Sequence, residues 1–136
     1  MDVVALIGRI LFVLLFLGSA FGHLTQADAM AGYASSRGVP QAKLAVLGSG
    51  VLMLIGALMV LLGIWLDLGA LLLVIFLVPT ALLMHPFWKE TDAMAKQTEM
   101  ISFQKDIALA GAALLILALY AGYGPGLGIT ITGPLF

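Results

Sequence analysis

Apolar residues fall in four long blocks along this chain, separated by shorter polar stretches. The blocks occupy about residues 3–24, 44–64, 68–85 and 107–123. A helix that crosses a bilayer needs about 20 mostly apolar residues, so each block is read as a membrane span. The fourth is the shortest, and a polar first turn would start it earlier, near Met100. The connections differ in kind. Only Trp65, Leu66 and Asp67 separate the second and third blocks, which forces a tight antiparallel hairpin. Residues 25–43 join the first and second. Within them, 26–36 carry alanines, Met30 and Tyr33 at helical spacing, which predicts a short interfacial helix ended by Gly38-Val39-Pro40. Residues 86–106 are read as the connection between the third and fourth spans. The glycine- and proline-rich tail, 124–134, is expected to lie extended on the surface.

Composition settles the solvent. The chain has 136 residues, 62% hydrophobic and 10% charged, whereas a soluble domain is about half apolar and a quarter charged. Too few polar residues exist to cover a water-facing surface, and a lipid environment removes that need. The expected fold is therefore all-α: an antiparallel bundle of four transmembrane helices with a short interfacial helix after the first, one domain over residues 1–136. The first block resembles a signal peptide in its apolar core and in Gly18, Ser19 and Ala20. Asp2 offsets Arg9, however, and three more apolar blocks follow, so it is read as a retained span. A net charge of −1 gives no electrostatic case for nucleic acid. The absence of cysteine excludes disulfides, thiol redox chemistry, iron–sulfur ligation and c-type haem attachment by this chain. Arg37, Lys43, Lys89, Lys96 and Lys105 lie on the long-loop side of the spans and only Arg9 on the terminal side. The positive-inside rule places the long loops in the cytoplasm.

Few residues can carry chemistry. Arg9 sits about two turns inside an apolar helix, where an unpaired guanidinium costs at least about 3 kcal/mol. His23 falls within about 40° of the same helix face, and Phe12, Phe16 and Ala20 lie between them, so the stripe is a candidate lining for an internal site. The alternative is that Arg9 snorkels to one interface while His23 marks the other. Asp67, on Arg9's side, either pairs with it or is a solvated turn residue. On the opposite side, His23, His85, Phe87, Trp88, Lys105 and Asp106 converge at one membrane face. A hydrogen-bonding histidine or lysine beside an aromatic wall suits a quinone head group. Two histidines also form a haem or metal pair in principle, but interfacial histidines beside a Phe-Trp belt occur without one, and the seven methionines are scattered, so no metal or haem site is expected. Close helix packing is expected at Gly18/Gly22, Gly56/Gly63, Ala108/Ala112 and Ala118/Gly122. Pro79 removes a backbone donor from the third span, beside Thr80.

The order of these features resembles the DoxX family of small bacterial membrane proteins. The resemblance rests on Gly8-Arg9 with Phe16 and Gly18, Arg37-Gly38-Val39-Pro40, and Gly56 with Gly63. It continues through His85-Pro86-Phe87-Trp88, Phe103-Gln104-Lys105-Asp106, Ala110-Gly111-Ala112 and Gly124-Pro125-Gly126. It spans nearly the whole chain and implies a four-helix membrane fold in the inner membrane. The family is named for similarity to a membrane subunit of a thiosulfate:quinone oxidoreductase. Relatives are linked to membrane-associated oxidoreductase complexes, to enzyme maturation, and to cargo receptors and chaperones. Two departures stand out: Met53 occupies a position where many members carry glutamate, and Asp106 one where many carry asparagine. The resemblance implies an accessory membrane subunit, with a quinone and a protein partner or second copy as its ligands, rather than an enzyme acting alone. A scaffold or assembly factor using the Phe87–Trp88 loop is the alternative, and an oligomeric small-molecule transporter the weaker one.

Overall fold

The computed structural model describes residues 1–136, apart from the side chain of Leu127. Five α-helices follow one another: α1 (Asp2–Thr25), α2 (Ala27–Ser36), α3 (Ala42–Leu62), α4 (Leu66–Met84) and α5 (Ala93–Tyr123). Short 3-10 turns occupy Phe87–Lys89 and Gly124–Leu127. Among the described residues, four helical segments are long and apolar enough to cross a membrane, with mean hydropathies of 1.9 to 2.5. This is an all-α membrane fold. Each long helix packs on the next in the order α1, α3, α4, α5, while α2 lies mainly against α3.

The core is built from one face of each span: Val13, Phe16 and Ala20 of α1, Met53, Ala57 and Val60 of α3, Ala70, Leu73 and Leu77 of α4, and Ala110 of α5. The outward faces are just as apolar. Leu11, Leu15, Phe21, Ile55, Leu58, Ile75, Leu82, Leu114 and Leu115 are all exposed. A water-soluble monomer does not present apolar surface on that scale; lipid chains are its natural solvent.

Local chemistry sets the helix ends. Gly38 adopts φ +83° after α2, and Gly63 adopts φ +66° after α3, the left-handed geometry that closes a helix C-terminus without strain at glycine. Asp92 caps α5 by accepting a hydrogen bond from the Ala95 N–H at 2.9 Å. That cap marks a departure from expectation. The fourth helix starts at Ala93, not near 100 or 107, and most of the expected connection is helical. Its 31 residues span about 46 Å, against about 30 Å of hydrocarbon. Roughly the first three turns therefore stand clear of the bilayer core. Asp106 consequently lies within the helix and does not cap it.

The small-residue faces of α1 and α5 also differ from expectation. Side chains added at Gly18 or Gly22 would meet nothing, and Ala108, Ala118 and Gly122 are exposed; these positions face outward. Close approach occurs where α3 crosses α4, as expected at Gly56, where a Cβ would lie 3.0 Å from the Gly69 carbonyl oxygen. A Cβ on Gly69 would lie 2.7 Å from the Met59 Cβ and 3.0 Å from the Gly56 carbonyl oxygen. Gly69→Ala is expected to lower stability by about 1–2 kcal/mol through overpacking. Unfolding in mixed dodecyl sulfate micelles checks this, with Gly18→Ala as the neutral control.

The tail departs most. It folds over the terminal end of the bundle rather than lying extended on the surface. The Ile131 and Thr132 N–H groups donate to the Gly63 carbonyl at 3.0 and 3.1 Å. The Trp65 N–H donates to the Thr132 hydroxyl at 2.7 Å, and the Tyr120 hydroxyl donates to the Thr132 carbonyl.

Candidate functional site

Arg9 and Asp67 are both buried at the terminal end, yet they do not pair. The Arg9 guanidinium donates to the Ile129 carbonyl. Asp67 accepts from the Leu135 and Phe136 N–H groups at 2.7 and 2.8 Å. The tail supplies a separate partner to each, so Asp67 is neither paired with Arg9 nor a solvated turn residue: backbone groups of the tail meet Asp67 Oδ2 and Arg9 Nη2, while Asp67 Oδ1 and Arg9 Nε and Nη1 stay buried without a partner. Phe16 is fully buried in the core, midway along α1.

The opposite end holds a cavity of about 540 Å³ between the end of α1, α2, α3 and the end of α4. Its wall is mostly apolar, with Met30, Val46, Leu83 and Met84 among the lining residues, and its polar groups come from His23, Tyr33, Ser49, Thr80 and His85. The end of α1 approaches closely because residue 50 is glycine. A Cβ there would lie 2.8 Å from the His23 Cβ. His23 Nδ1 is 3.1 Å from the Val46 carbonyl oxygen and 2.9 Å from the Ser49 hydroxyl. Its ring meets Phe76 edge-on at 6.1 Å between centroids. Thr80, one turn along α4 from Phe76, donates its hydroxyl to the Phe76 carbonyl at 2.8 Å.

His85 stands at the cavity wall and is gripped from outside it. Its Nδ1 is 2.7 Å from Glu99 Oε2, and its Nε2 is 3.7 Å from Asp106 Oδ2. Glu99 and Asp106 are seven residues apart on α5, so they fall within about 20° of one helix face. Arg37, just after α2, donates to the other Glu99 oxygen at 2.6 Å and to Glu90 at 2.9 Å. It also donates to the Tyr33 hydroxyl through Nε and Nη2, at 3.3 and 3.0 Å. Hydrogen bonding to Glu90 and then Tyr33 raises the Arg37 guanidinium above arginine's ordinary range, so its charge is permanent. Arg37 thus ties α2, one wall of the cavity, to α5 and to the connection before it.

The structure brings some of the candidate residues together and separates others. His23 and His85 share the cavity, with Asp106 behind His85. Phe87 and Trp88 form a separate cluster with Phe103, their rings 5.2 to 5.7 Å apart and edge-on. Lys105 is exposed on α5, and Arg9 lies at the far end of the bundle. Sequence reasoning missed Tyr33, Ser49, Phe76, Glu90 and Glu99, and gave Arg37 no role beyond its charge. The signal for the acidic pair was available. With α5 started at the Asp92 cap, Glu99 and Asp106 share a face opposite a histidine that ends α4.

Comparison with known proteins agrees with this architecture. The DoxX family model matches residues 4–86. The inner membrane protein YphA of Escherichia coli (strain K12) is 34% identical over 125 residues, covering 91% of this chain and 85% of that protein. No solved structure matches. Four apolar spans, the family match and this inner-membrane relative together identify the chain as a multi-pass inner-membrane protein belonging to the DoxX family.

Proposed function

We propose that this protein is an accessory membrane subunit of a quinone-linked oxidoreductase system, and that the cavity between α1, α2, α3 and α4 receives the quinone head group. The observation that carries this reading is that His23 and His85 line one mostly apolar cavity, with Phe76 beside His23. A cavity of about 540 Å³ falls within the size range of small-molecule sites, about 300–1,000 Å³, and has their usual make-up of apolar walls with a few placed polar groups. The exposed rims, Tyr33 on α2 and Leu83 on α4, give an isoprenoid tail a path into lipid. Redox chemistry itself belongs to a soluble partner docked on the long-loop side.

The test is mass spectrometry of the tagged protein purified in mild detergent from its native membrane, resolving proteins and small molecules together. Bound quinone, or a stoichiometric oxidoreductase, is the expected result. His85→Ala is expected to reduce the recovered quinone at least about tenfold. Recovery of diverse lipids alone would end the quinone reading.

A scaffold reading has its own observation. Trp88 is about half exposed beside Phe87 and Phe103, next to the part of α5 that overhangs the membrane. Co-purification of one protein that is lost on Trp88→Ala but kept on His85→Ala would favour it.

A further inference from the structure

The polar groups around the cavity have something in common that burial and size do not reveal. Their protons are already committed to the protein. The Ser49 hydroxyl donates to the Val46 carbonyl at 3.0 Å. The Thr80 hydroxyl donates to the Phe76 carbonyl. His23 Nδ1 stands 3.1 Å from the same Val46 carbonyl, and a carbonyl oxygen can only accept. That approach is attractive only if Nδ1 carries the proton; otherwise two lone pairs would face each other. The neutral ring then has an acceptor lone pair at Nε2. His85 Nδ1 lies 2.7 Å from Glu99 Oε2, while Arg37 donates to the other Glu99 oxygen, so the Nδ1 proton is also spent within the protein. His85 Nε2 stands 3.7 Å from Asp106 Oδ2, beyond hydrogen-bond reach, and makes no bond within the protein. Pro79, also in the wall, has no N–H and leaves the Ile75 carbonyl without its helical donor. Among the described side chains at the His23 end of the wall, Ser49, Thr80 and His23 have no proton left to give, and Tyr33 keeps one. It sits at the rim, its oxygen already accepting from Arg37.

From this inventory we infer that the cavity is a site for a hydroxyl donor, and that within the quinone reading its preferred ligand is the reduced quinol. A quinone offers two carbonyl oxygens, both acceptors, to a His23 end that is itself made of acceptors. A quinol offers two O–H groups, and the His23 end accepts one of them. Leaving a buried acceptor unmatched, or opposing it to another acceptor, is the larger part of hydrogen-bond discrimination in such sites. The inference rests on the proposed quinone site but makes a separate claim, about which redox form is held.

The experiment is calorimetric titration of the full-length protein in lipid nanodiscs, under anaerobic conditions, with four probes. These are a decyl-substituted benzohydroquinone, the matching benzoquinone, the hydroquinone dimethyl ether and decanol. The hydroquinone is expected to bind at least about tenfold more tightly than the quinone and the ether. Equal binding of hydroquinone, quinone and ether would overturn the inference while leaving the quinone site standing. Tighter binding of the quinone would overturn it too. Binding of decanol as tight as the hydroquinone would uphold the hydroxyl preference and remove the quinone reading. No binding by any probe would remove both.

Discussion

Asp67→Ala is expected to release the tail from the terminal end of the bundle and to lower stability by about 3 kcal/mol. Asp67 is fully buried and is the acceptor for two backbone N–H groups, those of Leu135 and Phe136. Alanine removes both hydrogen bonds to a charged acceptor, each contributing about 1.5–3 kcal/mol at most. It also removes an acidic group from the first turn of α4, where a negative charge is favoured. Asp67→Asn keeps one acceptor oxygen and is expected to lose about 1 kcal/mol. Two measurements separate tail release from general unfolding. Amide exchange in residues 124–136 should rise strongly in Asp67→Ala while α3 and α4 stay protected, and the unfolding midpoint in mixed micelles should fall. Unchanged exchange in the tail would show that Asp67 does not hold it.

Arg37→Ala is expected to have the second largest effect, about 2–3 kcal/mol. Arg37 is a single cation shared by Glu90, Glu99 and the Tyr33 hydroxyl, and its side chain is only 20% exposed. Removing it leaves two poorly solvated carboxylates facing each other's field, and loss of one partner from such a network costs more than the network contributes when intact. Arg37→Lys is expected to recover less than half, because one ammonium cannot replace a fork that meets several acceptors at once. The sign of the pH dependence follows from the raised Arg37 value. Stability from this shift is complete below arginine's unfolded value and is lost only as pH rises past the folded one, both far above neutrality. An unfolding midpoint that drops between neutral pH and pH 9 in wild type but not in Arg37→Ala would contradict this account. The loss should be local first: exchange in α2 rises, and the cavity loses a wall, so ligand affinity falls with stability.

Much of the fold was legible because lipid imposes simple rules. The three spans α1, α3 and α4 and the interfacial α2 followed from runs of apolar residues and from Gly38-Val39-Pro40. The start of α5 was not legible by hydropathy, because its first turns are polar and extend into water; only the Asp92 cap marks it. Helix faces were hard to read for a related reason. A helix that is apolar all round carries no amphipathic stripe to separate core from lipid, so Gly18 and Gly22 looked like a packing face and proved to point outward. The site divides the same way. His23 and His85 were visible as rare polar residues at span ends, and the structure places both on one cavity wall. Arg37 and Glu99 looked like ordinary loop charges, since nothing local links residues 62 positions apart.

The bond between Arg9 and the Ile129 carbonyl joins positions 120 residues apart, and that separation has a consequence for biogenesis. Chains emerge from the ribosome at about 5–20 residues per second. Arg9 therefore enters the membrane about 6–24 seconds before the carbonyl that accepts from it exists. During that interval the guanidinium has to be held at the interface by water or lipid phosphate, where a long side chain can reach. The first span is thus inserted in a shallower, provisional position. Its final depth is set only when the tail arrives and draws Arg9 into the bundle. The last step of assembly is accordingly a clasp between the beginning of the chain and its far end.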